Sequence, residues 1–337
     1  SGQLRAFDRR RAHAPFMKSA IDNWAEQVRA GEIRAISRAV TAIENRAPEA
    51  EDLLRDLFPH TGKAYRVGVT GAPGTGKSTL VDRLAKHYRA AHKTVGIIAV
   101  DPSSPFTGGA ILGDRIRMQG HATDAGIFIR SMATRGSLGG LAEAASDTAV
   151  LLDAAGKELV LVETVGVGQG EIEIVRLADC TLVVLVPGMG DDVQNLKAGL
   201  MEIADIFVLN KCDREGADRF EEQLRAMLSI SPERNGWRTP IVRTIASESK
   251  GIAELAGEIE RFRAHSAASA DRGVQKIAYW KQRLLEMLEH RLVARVIRGS
   301  EGDALLTKLA TQIAARKKDP YSAVSEMLES AGLGDSK

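Results

Sequence analysis

The sequence predicts an α/β protein with a mostly parallel sheet that helices cover on both faces. Between about residues 64 and 264, short runs rich in β-branched residues alternate with helical patterns. These runs are apolar on both sides of the chain, which is typical of strands buried between two helical layers. In order, the runs read YRVGVTG, TVGIIAVD, GIFIRS, ELVLVETVG, TLVVLVP, IFVLNKCD and PIVRTIA.

Helical patterns flank this region on both sides. Residues 1–62 are predicted to form an N-terminal helical extension, and residues 63–265 the nucleotide-binding domain. Residues 266–337 show no strand signal and are predicted to be helical. The extension has apolar residues at helical spacing, among them Ile36, Val40, Ile43, Leu53, Leu54 and Leu57.

One face of the C-terminal helix is also apolar. This face can pack on its own domain or on a second copy of the chain, and the sequence leaves both options open. The residues that form it are Ile277, Trp280, Leu284, Leu288, Leu292 and Val296.

Composition and charge exclude several classes of protein. The 46 Lys and Arg residues nearly balance the 44 Asp and Glu residues and are interspersed with them, so we expect no nucleic-acid-binding surface. Cys180 and Cys212 have neither disulfide nor metal-ligand spacing, which fits a reducing cytoplasm. The start of the chain has no secretory signal core, and no run reaches 18 uncharged apolar residues. We therefore expect a cytoplasmic protein that does not enter a membrane.

The segment GAPGTGKST, residues 71–79, matches the phosphate-binding pattern G-x-x-x-x-G-K-[ST] in full. It lies directly after a predicted strand and before a predicted helix. The glycines let the backbone wrap around phosphate oxygens, and N–H groups at the helix start face the anion. Lys77 is predicted to reach the β- and γ-phosphates, and Ser78 to ligate Mg²⁺. The predicted nucleoside triphosphate contacts are Gly71, Ala72, Pro73, Gly74, Thr75, Gly76, Lys77, Ser78 and Thr79.

The segment NKCD, residues 210–213, indicates which base is bound. It ends a late strand, downstream of the phosphate loop, and we predict that Asn210 and Lys211 line the base site. The carboxylate of Asp213 can accept two hydrogen bonds from the N1–H and N2–H₂ groups of guanine, whereas adenine has no such donor pair. After the next strand, a backbone N–H of Ala246 or Ser247 can meet the guanine carbonyl oxygen. The sequence therefore favours GTP over ATP.

Three acidic residues are candidates for the Mg²⁺ site with Ser78. Asp101 and Glu163 each end a predicted strand, and Asp114 follows in ILGDRIRM. Mg²⁺ prefers carboxylate oxygens and keeps several waters. We count Lys77, Asp101 and Glu163 among the catalytic residues as well.

Two further loops are predicted to act as switches. In ETVGVGQGE, Gly166 can donate its N–H to the γ-phosphate and so sense hydrolysis. The next residue is Val167, where many GTPases have a glutamine that orients water, so we expect slow intrinsic hydrolysis. The loop PGMGDDVQNLKAG, residues 187–199, is either a third functional loop or a solvated helix start.

Taken together, GAPGTGKST, AVDPSSPFTGGAILGDRIRM, ETVGVGQGE, PGMGDDVQNLKAG and NKCD closely resemble one family. These are the MeaB/ArgK/MMAA-type GTPases, the G-protein chaperones of adenosylcobalamin-dependent acyl-CoA mutases. The resemblance extends from about residue 20 to residue 290. It implies a P-loop fold of the SIMIBI type and a homodimer formed by a C-terminal helical arm. It also implies that GTP binding and hydrolysis to GDP gate the loading of cobalamin and protect or reactivate the mutase.

The resemblance also implies roles for individual residues. The third loop matches the switch that responds to the mutase, where we expect Gln194 and Lys197 to become catalytic. The segment IRSMATRGSLGG departs from the common members and is closer to G domains that serve isobutyryl-type mutases. The partner is thus left open among methylmalonyl-, isobutyryl- and 2-hydroxyisobutyryl-CoA mutases. The phosphate and magnesium residues implied are Lys77, Ser78, Asp101, Asp114 and Glu163, and the guanine residue is Asp213.

Three other functions are alternatives to this one. A nickel-insertion GTPase of hydrogenase or urease maturation needs His and Cys clusters, whereas the seven histidines here are scattered along the chain. A ribonucleoprotein-targeting GTPase needs an RNA-binding domain, against which the balanced charge argues. A scaffold that holds GTP without turnover is favoured only by Val167.

Overall fold

The computed structural model describes residues 19–101, 124–133, 138–164, 177–188, 202–230, 233, 235–269, 271–297 and 300–333. The chain divides into two compact units, residues 1–269 and 270–337. The first contains the sheet, and the second contains helices. Each unit is described by itself below.

The described strands form one seven-stranded sheet in which every neighbouring pair runs parallel. They are β1 (Tyr65–Thr70), β2 (Val95–Asp101), β3 (Ile127–Ala133), β4 (Leu159–Glu163), β5 (Cys180–Leu185), β6 (Ile206–Asn210) and β7 (Ile241–Thr244). Their order across the sheet is β3-β2-β4-β1-β5-β6-β7. The predicted α/β fold with a mostly parallel sheet is confirmed.

Helices cover both faces of the sheet. In the first unit they are residues 19–29 (α1), α2 (Ile33–Glu44), α3 (Pro48–Leu57), α4 (Lys77–Ala90), α5 (Leu138–Ala154), α6 (Ala217–Ile230) and α7 (Ile252–Ala268). Neighbouring residues on β6 show why two layers are needed. Phe207 packs in a cluster with Leu224 of α6, whereas Val208 packs in a cluster with Leu84 of α4 and Leu255 of α7. Successive strand side chains point to opposite faces, so both faces of β6 are core.

The N-terminal helices form a further layer outside the sheet. Helices α2 and α3 pack against α5, and α5 packs against β2, β3 and β4. An ion pair between Glu44 at the end of α2 and Arg130 of β3 adds a second connection. Most of the apolar residues that were predicted to form the helical stripe are buried here, namely Ile36, Val40, Ile43, Leu53 and Leu57.

The segment that joins this layer to β1 is held by one carboxylate. Asp153 of α5 accepts hydrogen bonds from three consecutive backbone N–H groups, those of Gly62 at 2.6 Å, Lys63 at 3.1 Å and Ala64 at 3.0 Å. Gly62 has a φ of +100°, a backbone conformation that glycine adopts without strain. One side chain thus fixes the start of the central strand against α5.

Asp153→Ala is expected to lower the free energy of unfolding by about 2 kcal/mol, because it removes the charged acceptor of three backbone N–H groups. The loss is not larger because water can reach these N–H groups in part. Asp153→Asn keeps one acceptor oxygen and should lose about half as much. Urea unfolding measures both, with Asp56→Ala on the exposed face of α3 as the control, for which we expect a change within about 0.5 kcal/mol. Equal midpoints for Asp153→Ala and Asp56→Ala would contradict the anchoring role.

The second unit contains α8 (Asp271–Ile297), α9 (Ser300–Ala314) and α10 (Pro320–Ser330), which pack on one another. Asp319 caps α10, and its Oδ1 accepts from the Ser322 N–H at 2.9 Å. Several residues of the predicted apolar face of α8 are exposed, including Ile277 at 71%, Leu284 at 63% and Leu288 at 53%. None of the described helices is long and apolar enough to span a membrane.

Candidate nucleotide-binding site

The parallel sheet brings the predicted motifs to one edge. β1 lies between β4 and β5, and the predicted phosphate loop follows its carboxyl end. Glu163 ends β4, Asp101 ends β2 and Asn210 ends β6. Since the strands are all parallel, these ends lie at the same side of the sheet, where α/β proteins bind ligands.

Two glycines of the loop are required by close contacts. Gly71 has a φ of +140°, and a β-carbon there would lie 2.2 Å from the carbonyl oxygen of Val184. Gly76 has a φ of +93°, and a β-carbon there would lie 2.5 Å from Nδ2 of Asn210. Any larger residue would therefore push the loop away from β5 and from β6. The tight loop ends at Lys77, where α4 begins.

Lys77 lies inside the loop. Its side chain is buried, with 6% exposed, and Nζ donates to the carbonyl oxygens of Gly71 at 2.8 Å and Ala72 at 3.0 Å. The first N–H groups of α4 have no acceptor within the helix, so they can donate to an anion at the helix start. This arrangement suits an anion with several oxygens.

Ser78 and Glu163, two of the predicted Mg²⁺ ligands, lie side by side. Ser78 Oγ donates to Glu163 Oε1 at 2.6 Å, and the Glu163 side chain is buried with 7% exposed. A hydroxyl and a carboxylate side by side are hard oxygen donors, so these two residues fit Mg²⁺. Within the described parts of the chain, no three His, Cys, Asp or Glu side chains are arranged to hold a metal ion by themselves.

The amide of Asn210 links three segments. Nδ2 donates to the Thr75 carbonyl oxygen of the phosphate loop at 2.8 Å. Oδ1 accepts from Thr244 Oγ1 and from the Ala246 N–H, both at 3.1 Å. Because Asn210 is buried with 2% exposed, these bonds are shielded from water. The sequence predicted that Asn210 lines the base site. In the structure, its side-chain amide forms hydrogen bonds with other residues of the protein.

Lys211 and Asp213 lie on the outer side of this link. Lys211 has a φ of +59°, and its Nζ donates to the Gly74 carbonyl oxygen at 2.7 Å. Asp213 is exposed. The pKa of Lys250 is raised, first by its hydrogen bond to Glu248, then by the charge of that carboxylate, and to a smaller extent by the charge of Asp213. Asp213 is thus close enough to Lys250, in the segment after β7, for their charges to interact.

That segment contains the two residues predicted to meet the base. The Ala246 N–H is engaged by Asn210, as described above, and Ala246 is buried. The Ser247 carbonyl oxygen accepts from Nη2 of Arg83 at 3.3 Å. Residues Ile245 and Lys250 close the turn by an antiparallel bridge. Arg83 lies on α4, so the helix that starts at the phosphate loop also contacts the base-site turn.

Several predicted site residues lie outside the described residues. These are Asp114, Gly166, Gln194 and Lys197, together with the side chain of Asp101. Their roles stay predictions. Conversely, sequence reasoning missed Thr244 and Arg83, which hold the turn after β7. The signal for Thr244 was a hydroxyl residue at the carboxyl end of a predicted strand, just before the predicted base-site turn.

Known proteins that are similar to this chain are GTPases. The family described as methylmalonyl Co-A mutase-associated GTPase MeaB matches residues 36–301. A putative GTPase of Pyrococcus abyssi is 47% identical over 316 residues, which cover 92% of this chain and 96% of that protein. The GTPase ArgK of Escherichia coli is 38% identical over 254 residues, which cover 72% and 76%.

A solved structure has the same fold over nearly its whole length. The crystal structure of an LAO/AO transport system kinase matches with a TM-score of 0.69 and 26% identity, covering 93% of this chain and 98% of that one. With a complete P-loop at the carboxyl edge of the parallel sheet and a family match over residues 36–301, the predicted resemblance is confirmed. The chain belongs to the MeaB family of methylmalonyl-CoA mutase-associated GTPases.

Proposed function

We propose that this GTPase is a Mg²⁺-dependent chaperone of an adenosylcobalamin-dependent acyl-CoA mutase. It gates the loading of the cofactor and protects or reactivates the mutase through GTP binding and hydrolysis. The observation that carries the proposal is the match of residues 36–301 to a family described as mutase-associated GTPases. The same match favours this function over nickel insertion.

In the proposed complex, the phosphate loop and Lys77 bind the β- and γ-phosphates. Ser78 and Glu163 hold Mg²⁺ together with Asp101 and Asp114. Ser78 Oγ and Glu163 Oε1 lie 2.6 Å apart. When bound, Mg²⁺ neutralises charge on the β- and γ-phosphate oxygens. Gly166 senses the γ-phosphate. Through these contacts the chain holds the nucleotide and responds to its hydrolysis.

At the other end of the nucleotide, Asp213 accepts the two N–H groups of guanine. The Ala246 N–H already donates to Asn210, so we assign the following N–H, of Ser247, to the guanine carbonyl oxygen. Asn210 and Lys211 both donate to carbonyl oxygens of the phosphate loop. Base binding and phosphate binding thereby depend on the same short segment.

Slow turnover without a partner follows from Val167, which has no group to orient water. In the proposal, the mutase reorders the third loop, and Gln194 and Lys197 then complete the catalytic site. The exposed apolar side chains of α8 support a homodimer through the C-terminal region. The domain boundaries at residues 62/63 and 265/266, a cytoplasmic location, and the lack of nucleic-acid or membrane binding belong to the same proposal.

The test is single-turnover GTP hydrolysis with and without purified mutases. Methylmalonyl-, isobutyryl- and 2-hydroxyisobutyryl-CoA mutases are compared, and cobalamin loading is followed by absorbance in the same samples. We expect one of them to accelerate hydrolysis and to require GTP for loading. Acceleration by none of the three would exclude the chaperone function. Tight nickel binding in its place would favour the alternative.

Lys197→Ala is expected to leave GTP affinity within about twofold and to remove most of the acceleration by the mutase, since a cation near the transferred phosphoryl group commonly contributes 10³-fold or more. The matched control is Lys93→Ala, an exposed lysine at the opposite end of the sheet, paired with Glu158. Full acceleration of Lys197→Ala would move the catalytic role to another residue.

A further inference from the structure

Two threonine hydroxyls are buried where β1 and β4 end. Thr164 Oγ1 donates to Thr70 Oγ1 at 3.0 Å, and the two residues are 4% and 0% exposed. Burying a hydroxyl costs free energy unless it is paired. Valine has nearly the same shape without that cost, and a buried pair replaced by apolar groups is often close to neutral in stability. Packing alone therefore does not require hydroxyls at this position.

The position of the pair within the site is specific. Thr70 directly precedes Gly71, the first glycine of the phosphate loop, and Thr164 directly follows Glu163. The Thr164 N–H also donates to the Val69 carbonyl oxygen at 3.0 Å. Backbone and side chain of Thr164 are thus both bonded to β1, at the last point before the phosphate loop begins.

The same short stretch of β4 is bonded to the far end of the loop. Glu163 accepts from Ser78 Oγ, while its neighbour Thr164 donates to Thr70. Glu163 is the last residue of β4 and Thr164 is the next residue, so the two bonds hold the chain at two adjacent positions of this strand end. A strand end that is bonded at two adjacent residues restricts the movement of the Glu163 carboxylate relative to Ser78.

We propose that the Thr70–Thr164 hydroxyl pair is a positioning device for the Mg²⁺ site, which holds Glu163 against Ser78. The inference rests on the proposed function, since it assumes that Ser78 and Glu163 bind Mg²⁺ with the nucleotide. Without the pair, the end of β4 gains freedom, and the carboxylate spends less time in the geometry that Mg²⁺ requires. Binding of the nucleotide without Mg²⁺ does not involve this carboxylate and stays unchanged.

The experiment compares Thr164→Val, Thr164→Ser and the double variant Thr70→Val/Thr164→Val. The affinity for a fluorescent GDP is measured in EDTA and in a Mg²⁺ titration, alongside thermal unfolding. For Thr164→Val we expect unchanged affinity in EDTA and a Mg²⁺ midpoint raised by about fivefold, the effect of one hydrogen bond. Thr164→Ser keeps the hydroxyl and should stay within about twofold of the wild type. The double variant should not exceed the single one, since both remove the same bond.

The control is Thr148→Val, a fully buried threonine of α5 away from the nucleotide-binding site. A Mg²⁺ midpoint of Thr164→Val equal to that of the wild type, or shared by Thr148→Val, would overturn the positioning role. An additive loss in the double variant would overturn it as well. If the wild type itself bound GDP without any response to Mg²⁺, the assignment of Ser78 and Glu163 to the metal would be wrong as well. The wild-type titration thus distinguishes failure of the positioning role from failure of the proposed Mg²⁺ site.

Discussion

Lys77→Ala is expected to reduce the affinity for GTP by at least about 100-fold, the loss of two charge-assisted hydrogen bonds to phosphate. The side chain is buried inside the phosphate loop and is bonded to two loop carbonyl oxygens. Its removal therefore takes away the cation and also leaves those carbonyl oxygens without its hydrogen bonds, in the loop where we expect the phosphates to bind. Repulsion between the carbonyl oxygens and the anion should add to the loss.

Isothermal titration with GTP and with GDP measures this effect. The matched control is Lys86→Ala, which removes a half-exposed lysine from the same helix and breaks only its ion pair with Asp82. We expect this control to bind within about threefold of the wild type, because such pairs contribute little. GTP affinity of Lys77→Ala equal to that of Lys86→Ala would show that the phosphates bind elsewhere.

Asp213→Asn is expected to change the preferred base from guanine to xanthine. The carboxylate can accept from two N–H groups of guanine, whereas the amide of asparagine offers one acceptor and one donor. The donor matches the O2 carbonyl of xanthine. We expect GDP affinity to fall by about 100-fold and xanthosine diphosphate affinity to rise, since hydrogen bonds to a charged acceptor are the stronger ones.

Competition between the two nucleotides for the site gives the ratio directly. Glu215→Gln is the control, since it removes a charge from an exposed residue two positions further along the chain. This variant should keep the wild-type preference for guanine. A retained preference in Asp213→Asn would remove Asp213 from base recognition and leave the turn after β7 as the specificity element.

Much of the fold followed from the sequence because the strands are buried on both faces. Runs such as TLVVLVP and IFVLNKCD show no alternation of polar and apolar residues. They form β5 and β6, each of which has a neighbouring strand on both sides. Residues at the ends of such strands meet automatically when the strands are parallel. The sequence could therefore predict that Ser78 of the phosphate loop and Glu163 share one Mg²⁺ site.

The contacts of Asn210 could not be predicted in the same way. Its amide bonds to Thr75, which is 135 residues away, and to Thr244 and Ala246, which are 34 and 36 residues away. Such pairing depends on the strand order, with β5 between β1 and β6 and with β7 beside β6, and periodicity does not reveal that order. The bond between Thr70 and Thr164 depends on β4 lying next to β1 in the same way.

The burial of α5 has a consequence for any shortened form of this protein. Leu151 and Leu152 are consecutive and both fully buried, although consecutive residues on a helix point about 100° apart. A helix that is apolar around most of its circumference needs cover on the side away from the sheet. Helices α2 and α3 supply that cover, so a fragment cut before β1 would expose a wide apolar surface and aggregate. We therefore expect the smallest piece able to bind GTP in solution to begin at or before Ile33, where α2 starts.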